Sequence, residues 1–320
     1  MKIKKIALII SVALVLAATI YGIILNSRIT GSTSYESSLS VDKSAALLSS
    51  NEDSITILQL TDIQTRSLVQ CAAAYPKVKE LVDKYQPDLI VLTGDNISDG
   101  SPRTVLKAMI NLFDSFELPW ALVYGNHDRK SLVSMEEMSA ELEKSEYCIF
   151  KTGELYDRYG NYYYNLELDG EIVRSLIFMD SARTHFTEEQ VEWYRDTVNN
   201  IAEENGSTLT SLVFFHIPIP ETLDAHALYE KNPEIGTGVI QEEICEQDEN
   251  TGFFDAVKEL GSTDALIYGH DHVNNTVITY EGVMFCYGTK TGPNSYYDPE
   301  IQGGTLITVT KDGFKIEHVE

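Results

Sequence analysis

The chain has 320 residues, 43% of them hydrophobic, enough to bury a large core and too apolar for general disorder. Its 49 Asp and Glu against 24 Lys and Arg leave a net charge of −25, which excludes a nucleic-acid backbone as a general partner because that affinity comes from basic side chains. An acidic protein that must hold a phosphate needs local positive charge, and metal cations are the ready source.

Lys2, Lys4 and Lys5 precede an apolar run from Ile6 to Leu25. A run of roughly 20 residues spans a ~30 Å hydrocarbon core. The basic flank should stay inside and everything after Asn26 should lie outside. Residues 1–28 are therefore expected to form an uncleaved signal anchor. A cleaved signal peptide is the alternative, although its apolar region is usually about 7–15 residues and ends in an A-x-A-like site that is not evident here. Either way the protein is expected to be extracytoplasmic, anchored to the membrane by one helix or secreted. Residues 29–53 are Ser-rich with scattered acids and read as a flexible linker. The folded domain is expected over residues 54–320.

Ile55–Leu60 reads as a strand ending in Thr61-Asp62-Ile63-Gln64, and a helix follows from Pro76 to Tyr85, with Pro in its first turn. Leu89–Leu92 is a second apolar strand, ending in Thr93-Gly94-Asp95-Asn96. Helical spacing of Val105, Ala108, Met109, Leu112 and Phe116 predicts a helix over Thr104–Phe116. Trp120–Tyr124 is a third strand, ending in Gly125-Asn126-His127-Asp128. This alternation predicts parallel βαβ units and an α/β class. A helix over Ser134–Lys144 comes next. The middle is more antiparallel, α+β in character, with strands at Tyr162–Leu168 and Ser175–Met179 around the turn Asp169-Gly170. Thr187-Glu188-Glu189-Gln190 is a capping box opening a helix to about Glu204. Ser211–Phe215 is a strand ending in His216-Ile217-Pro218. His226 to Gly252 is polar and loop-like, placed to cover part of a site. A helix at Phe253–Leu260 leads to the apolar run Ala265–Tyr268 and then Gly269-His270-Asp271-His272. The C-terminus ends in a hairpin at Lys311-Asp312-Gly313. The four cysteines, Cys71, Cys148, Cys245 and Cys286, show no C-x-x-C pair and read as buried free thiols.

The polar residues fall in one kind of place. Asp62, Asp95, Asn126, His216, His270 and His272 each follow an apolar strand. Parallel strands put their C-terminal ends on one edge, where open α/β sheets bind ligands, so these groups can converge although far apart in the chain. Imidazole, carboxylate and amide oxygen together suit Mn, Fe or Zn rather than a thiolate site.

In order and spacing, Asp62-x-Gln64, Gly94-Asp95, Gly125-Asn126-His127-Asp128, His216 and Gly269-His270-Asp271-His272 resemble the calcineurin-like metallophosphoesterases. The resemblance runs over roughly residues 54–310. Phe214-Phe215-His216-Ile217-Pro218 and Cys286-Tyr287-Gly288-Thr289-Lys290-Thr291-Gly292 are similar to the small purple-acid-phosphatase-like branch. The resemblance implies a β-sandwich with flanking helices and two divalent or trivalent metal ions bridged by Asp95. Asp62, Asp95 and His272 would hold the first ion, and Asp95, Asn126, His216 and His270 the second. His127 would act as the acid toward the leaving oxygen, with Asp99 or Asp128 orienting it. The substrate would be a small phosphorylated molecule, with Asn126, His127, His226, Lys290, Arg66 and Arg183 as its candidate contacts.

One position departs from the family. Where the first motif usually reads Asp-x-His, this chain has Gln64, and the tyrosine by which purple acid phosphatases replace that histidine is here Ser98. Gln64 would ligate through its amide oxygen or orient a water. The expected activity is phosphomonoester hydrolysis by water activated between two metals. Phosphodiester or nucleotide hydrolysis on the same scaffold is the alternative, and a degenerate non-catalytic binding module is a third reading.

Overall fold

The computed structural model describes residues 35–320, apart from 156 and 182. The expected anchor or signal segment, residues 1–28, lies outside the described residues. Among those described, no helix is long and apolar enough to cross a membrane.

The first described stretch corrects the linker expectation over residues 35–53. Instead of a tether it forms β1 (Ser40–Asp42) and β2 (Leu47–Ser50), an antiparallel pair. Its anchors are polar, which is why composition hid them. Asp88 accepts from Ser38 N at 3.0 Å and Ser38 Oγ at 2.7 Å on one oxygen, and from Thr56 N at 2.8 Å on the other. Tyr35 packs edge-on to Phe116 with ring centroids 5.3 Å apart, and its hydroxyl meets Lys79 and Asp83.

The predicted βαβ units follow. β3 (Ser54–Leu60), β4 (Leu89–Thr93) and β5 (Trp120–Val123) pair in parallel, connected by α1 (Leu68–Tyr85) and α2 (Arg103–Asp114). α1 begins well before Pro76, which therefore sits inside the helix and not in its first turn. Ser67 caps the start by accepting from Gln70 N, and the run Ala72-Ala73-Ala74 favours helix strongly. An interior Pro costs about 3 kcal/mol. Burial of Cys71, Ala74, Tyr75, Val78, Leu81 and Val82 on one stripe offsets it.

After α3 (Met135–Leu142) the chain builds its larger sheet from β6 (Tyr162–Leu168), β7 (Glu171–Phe178), β8 (Ser211–Phe214), β9 (Gly236–Thr237), β10 (Thr263–Tyr268), β11 (Val277–Tyr280) and β12 (Val283–Tyr287). With β1 and β2 these give the order β1-β2-β6-β7-β8-β10-β12-β11-β9. β7, β8, β10 and β12 are mutually parallel neighbours, and β6 pairs antiparallel with β7. β13 (Gly304–Thr310) and β14 (Gly313–Val319), joined at the expected hairpin, complete a second sheet of order β14-β13-β3-β4-β5.

The central strands of the larger sheet, β8 and β10, are buried on both faces, and residue parity divides their side chains. Ile177, Val213, Phe215, Leu266, Tyr268 and Phe285 form a core with residues of α4 (Glu188–Asn205) and α6 (Phe253–Leu260). The alternate residues face the other sheet. Phe214 stacks on Phe178 and Phe178 on Tyr162, whose hydroxyl donates to Leu122 O in β5 at 2.8 Å. The capping box at α4 is present, Thr187 accepting from Gln190 N and Gln190 accepting from Thr187 N. The segment expected as loop from His226 instead begins within α5 (Glu221–Tyr229) and becomes irregular only after β9. Cys71, Cys148 and Cys286 are buried free thiols as expected, whereas Cys245 is exposed.

The polar anchoring of the first strands is measurable. Asp88→Ala should lower unfolding stability by roughly 2 kcal/mol, since three donors lose a charged acceptor. Urea denaturation reads this directly, and a loss below about 0.5 kcal/mol, the range of ordinary surface changes, would show that the anchor carries no weight.

Candidate metal centre

The strand ends do converge. Asp62 follows β3, Asp95 follows β4, Asn126 follows β5, His216 follows β8, and His270 and His272 follow β10. The loops interlock through main-chain bonds: Asp62 N donates to Gly94 O at 3.1 Å, Gln64 N to Asp95 O at 2.8 Å, and Gly269 N to His216 O at 3.1 Å. Asp62, Gln64, Asp95 and His270 all have left-handed backbone, with φ of 54°, 51°, 52° and 80°. Such residues cost on the order of 1–3 kcal/mol each and persist where the surroundings over-determine them. Two motif glycines make room for the carboxylates. A Cβ on Gly125 would lie 2.1 Å from Asp95 Oδ1, and one on Gly269 would lie 2.0 Å from Thr61 Oγ1 and 2.7 Å from Asp62 Oδ2.

One cluster fits a metal ion. Donor atoms of Asp95, His216 and His270 lie within 4.8 Å of one another. His216 Nδ1 meets Thr93 O at 2.8 Å, which assigns its proton to that nitrogen and leaves Nε2 facing the cluster. Around Nε2 stand Asn126 Oδ1 at 3.2 Å, His270 Nδ1 at 3.3 Å and Asp95 Oδ1 at 3.4 Å. Ligands at about 2.0–2.2 Å from a common ion have roughly such spacings between them. In the absence of a cation, burial lowers the His216 pKa but the charges of Asp95 and Asp62 prevail and lift it to about 9. Burial and the His216 charge push His270 down to about 4.

The second group is sparser. Asp62 Oδ2 accepts from Thr61 Oγ1 at 2.8 Å and His270 N at 3.0 Å, while Oδ1 is buried with no hydrogen-bond partner. His272 Nδ1 is held by Tyr296 O at 3.1 Å, and its Nε2 stands 3.5 Å from that orphan oxygen. Burial alone would raise the Asp62 carboxyl, but His272, His216 and Lys290 together bring it far below the usual carboxylate range. An unpartnered buried carboxylate oxygen facing an imidazole lone pair suits a cation. Gln64 does not complete the set: its Oε1 lies 3.4 Å from Lys290 Nζ and its Nε2 lies 3.4 Å from Asp95 Oδ2.

His127 stands beside both groups. Its N donates to Asp95 Oδ1 at 2.8 Å, its Nδ1 meets Asp99 Oδ1 at 2.6 Å, and its Nε2 is 3.8 Å from Asp95 Oδ2. Asp99 is therefore the partner of the ring. Asp128, the alternative, instead accepts from Ile97 N and Gly125 N, each at 2.8 Å, and so braces the two loops that carry Asp95 and Asn126.

Two clefts open on the centre. One, of about 360 Å³, is lined by Gln64, Arg66, Asp95, His127, His270 and His272. The other, of about 720 Å³, begins at Asn126 and His270 and runs past Arg129, Lys130 and Arg183. Arg66 and Arg183 thus lie on cleft walls, Arg183 already paired with Asp157. Lys290 is not among the substrate contacts, since it is 2% exposed and donates to Asp62 O at 2.6 Å. His226 is a core residue under Tyr287, bonded to Thr276 Oγ1 at 2.8 Å, because α5 turns it inward. Sequence patterns gave no sign of the carbonyls of Thr93 and Tyr296, since any residue carries that group. Asp180, bonded to Arg129 behind the larger cleft, was detectable as one more acid following an apolar strand.

Two sheets meeting over a histidine–carboxylate cluster at their strand ends define a phosphoesterase architecture. The chain belongs to the calcineurin-like phosphoesterase family, whose profile matches residues 55–274. It is 30% identical over 272 residues to "Probable inactive purple acid phosphatase 14" of Arabidopsis thaliana, covering 74% of this chain and 64% of that protein. It is 28% identical over 285 residues to "Phosphatase DCR2" of Saccharomyces cerevisiae, covering 76% of this chain and 49% of that protein. The chain thus spans between about half and just under two thirds of these relatives. A dimetal phosphatase from Danio rerio shares the fold with a TM-score of 0.58 at 14% identity, covering 82% of this chain and 95% of that one. The β-sandwich with flanking helices that the resemblance implies is the fold observed.

His226 supplies a pH test of the surrounding core. Burial holds its pKa near 4, below the ordinary 6.5. Between those values the unfolded chain binds more protons than the native one, so stability is complete at higher pH and declines as pH falls from about 6.5 toward 4. His226→Gln should remove that part of the acid sensitivity, up to about 3 kcal/mol. Chemical denaturation of both proteins above neutrality and near pH 5 measures it, and identical pH slopes would reject the assignment.

Proposed function

We propose that the protein is a metal-dependent phosphomonoesterase. The observation that supports this most directly is His127 Nε2 standing 3.8 Å from Asp95 Oδ2, at the mouth of the cluster of Asp95, Asn126, His216 and His270. When bound, metal ions there supply Lewis-acid charge to a phosphoryl group and acidify water. The chain's own residues do the rest. Asp95, Asn126, His216 and His270 would hold such an ion, their donor atoms gathered at one edge of the clefts. Asp99 accepts from His127 Nδ1 and stabilises the imidazolium, whose Nε2 proton passes to the leaving oxygen. The smaller cleft suits the phosphoryl group, and the larger one suits a leaving group of metabolite size. Its lining mixes Arg129, Lys130 and Arg183 with Glu136, Asp157, Glu246 and Asp248, so a substrate there needs more than one anionic group to compete for the cations.

The relatives carry names of opposite sense, one "probable inactive" and one a phosphatase, so turnover is the property to measure. We further propose export with membrane anchoring, on the strength of Lys2, Lys4, Lys5 and the apolar run Ile6–Leu25. Carbonate extraction and protease accessibility of the full chain test it.

Phosphate release from nitrophenyl monoesters should exceed that from bis-esters, vanish with chelator and return with Mn²⁺. Asp95→Asn and His270→Ala should each lower kcat/KM at least roughly a hundredfold with loss of metal. His127→Ala should lower kcat by about 10²–10⁴ while metal content is kept. A metal-loaded wild type that turns over no ester would leave only the binding-module reading.

A further inference from the structure

The two halves of the centre are unequal, and a lysine stands beside the sparser one. Lys290 follows β12 and is clamped by its main chain: residue 290 bridges Thr61, its carbonyl accepts from Gly303 N at 3.1 Å, and the next residue's N donates to Thr61 O at 2.9 Å. The ammonium is buried and has two oxygen partners, Asp62 O at 2.6 Å and Gln64 Oε1 at 3.4 Å. This contact fixes which way the Gln64 amide lies. An ammonium only donates and a carboxylate only accepts. Gln64 Oε1 must therefore face Lys290, and its Nε2 must face Asp95 Oδ2, 3.4 Å away. Flipping the amide would set N–H against ammonium and oxygen against carboxylate. The one atom of Gln64 able to ligate a metal is taken up by a cation, and its N–H group occupies the Asp95 oxygen on the first-ion side.

The first position is left with Asp62 Oδ1, His272 Nε2 and the Lys290 ammonium beside Asp62, whereas the second has Asp95, Asn126, His216 and His270. We propose that this chain holds one ion tightly at Asp95, Asn126, His216 and His270, and that the Lys290 ammonium, acting with Gln64, keeps the Asp62–His272 position weak. The inference rests on the metal-dependent reading above and concerns ion stoichiometry, independent of turnover.

Chelator-stripped full-length protein is titrated with Mn²⁺ and with Zn²⁺ by calorimetry, and ion content is measured after gel filtration. The wild type should retain one equivalent and bind a second at least roughly tenfold more weakly. Lys290→Met and Lys290→Gln should strengthen the second equivalent at least tenfold. The Gln variant can still donate to Asp62 O, so it separates loss of charge from loss of the hydrogen bond and covers the case in which the Met variant fails to fold. Gln64→His combined with Lys290→Met should retain two ions through gel filtration. Two equally held ions in the wild type, or folded Lys290 variants that still bind the second ion as weakly, overturn the inference and leave the functional reading standing. A wild type that binds no ion overturns both.

Discussion

Buried negative charge at the seam between two sheets is the constraint from which the rest of the centre follows. Asp62 and Asp95 are almost wholly enclosed, at 0% and 1% exposure, in loops that touch each other. Two carboxylates in such a place need cationic partners. The structure surrounds them with His216 and Lys290, and lines the remaining space with lone pairs from Asn126, His270 and His272. An assembly that gathers acceptors and leaves Asp62 Oδ1 without a donor has reserved room for metal charge. Its affinity for an ion and its tolerance of acidic burial therefore have the same origin.

That reserve is kept by geometry that would otherwise relax. Left-handed backbone at Asp62, Gln64, Asp95 and His270 aims four side chains into the seam, and Gly125 and Gly269 let the carboxylates pass closer than any Cβ would allow. The loops are braced from behind by Asp128, which ties the loop after β4 to the loop after β5. Burial, followed by the charge of Asp95, raises the Asp128 carboxyl, and its two main-chain donors oppose that rise. Rigid strands deliver the ligands, and strained turns give them direction. This division suits a site that must present a fixed array to a phosphate in place of adapting to it.

The second half of the centre shows how a small change at one position can be absorbed. An imidazole at residue 64 would point a lone pair toward an ion. The shorter-range demands of an amide, one end donor and one end acceptor, instead match an ammonium on one side and a carboxylate on the other. Gln64 and Lys290 thus form a linked pair, each accounting for the buried polar group of the other.

Asp62, Asp95, Asn126, His127, His216, His270 and His272 were legible in the sequence because apolar strands of four to seven residues announce themselves by pattern, and parallel strands must put their ends on one edge. The order of helices and strands from β3 to β5 and the capping box of α4 were legible for the same local reasons. The tether at 35–53 was misread because its anchoring is polar and long-range, through Asp88 and Asp83, and composition registers only apolar burial. Pro76 was misplaced because tertiary burial overrode a local preference. His226 and Lys290 have side chains able to bind phosphate, but both are buried away from the clefts, which residue type alone does not reveal. The sequence by itself determined which side chains able to ligate a metal are present and at which strand ends they emerge. Only the tertiary structure decided which of two acids holds His127, which way the Gln64 amide lies and where the Lys290 charge goes, since each depends on contacts between residues tens to hundreds of positions apart.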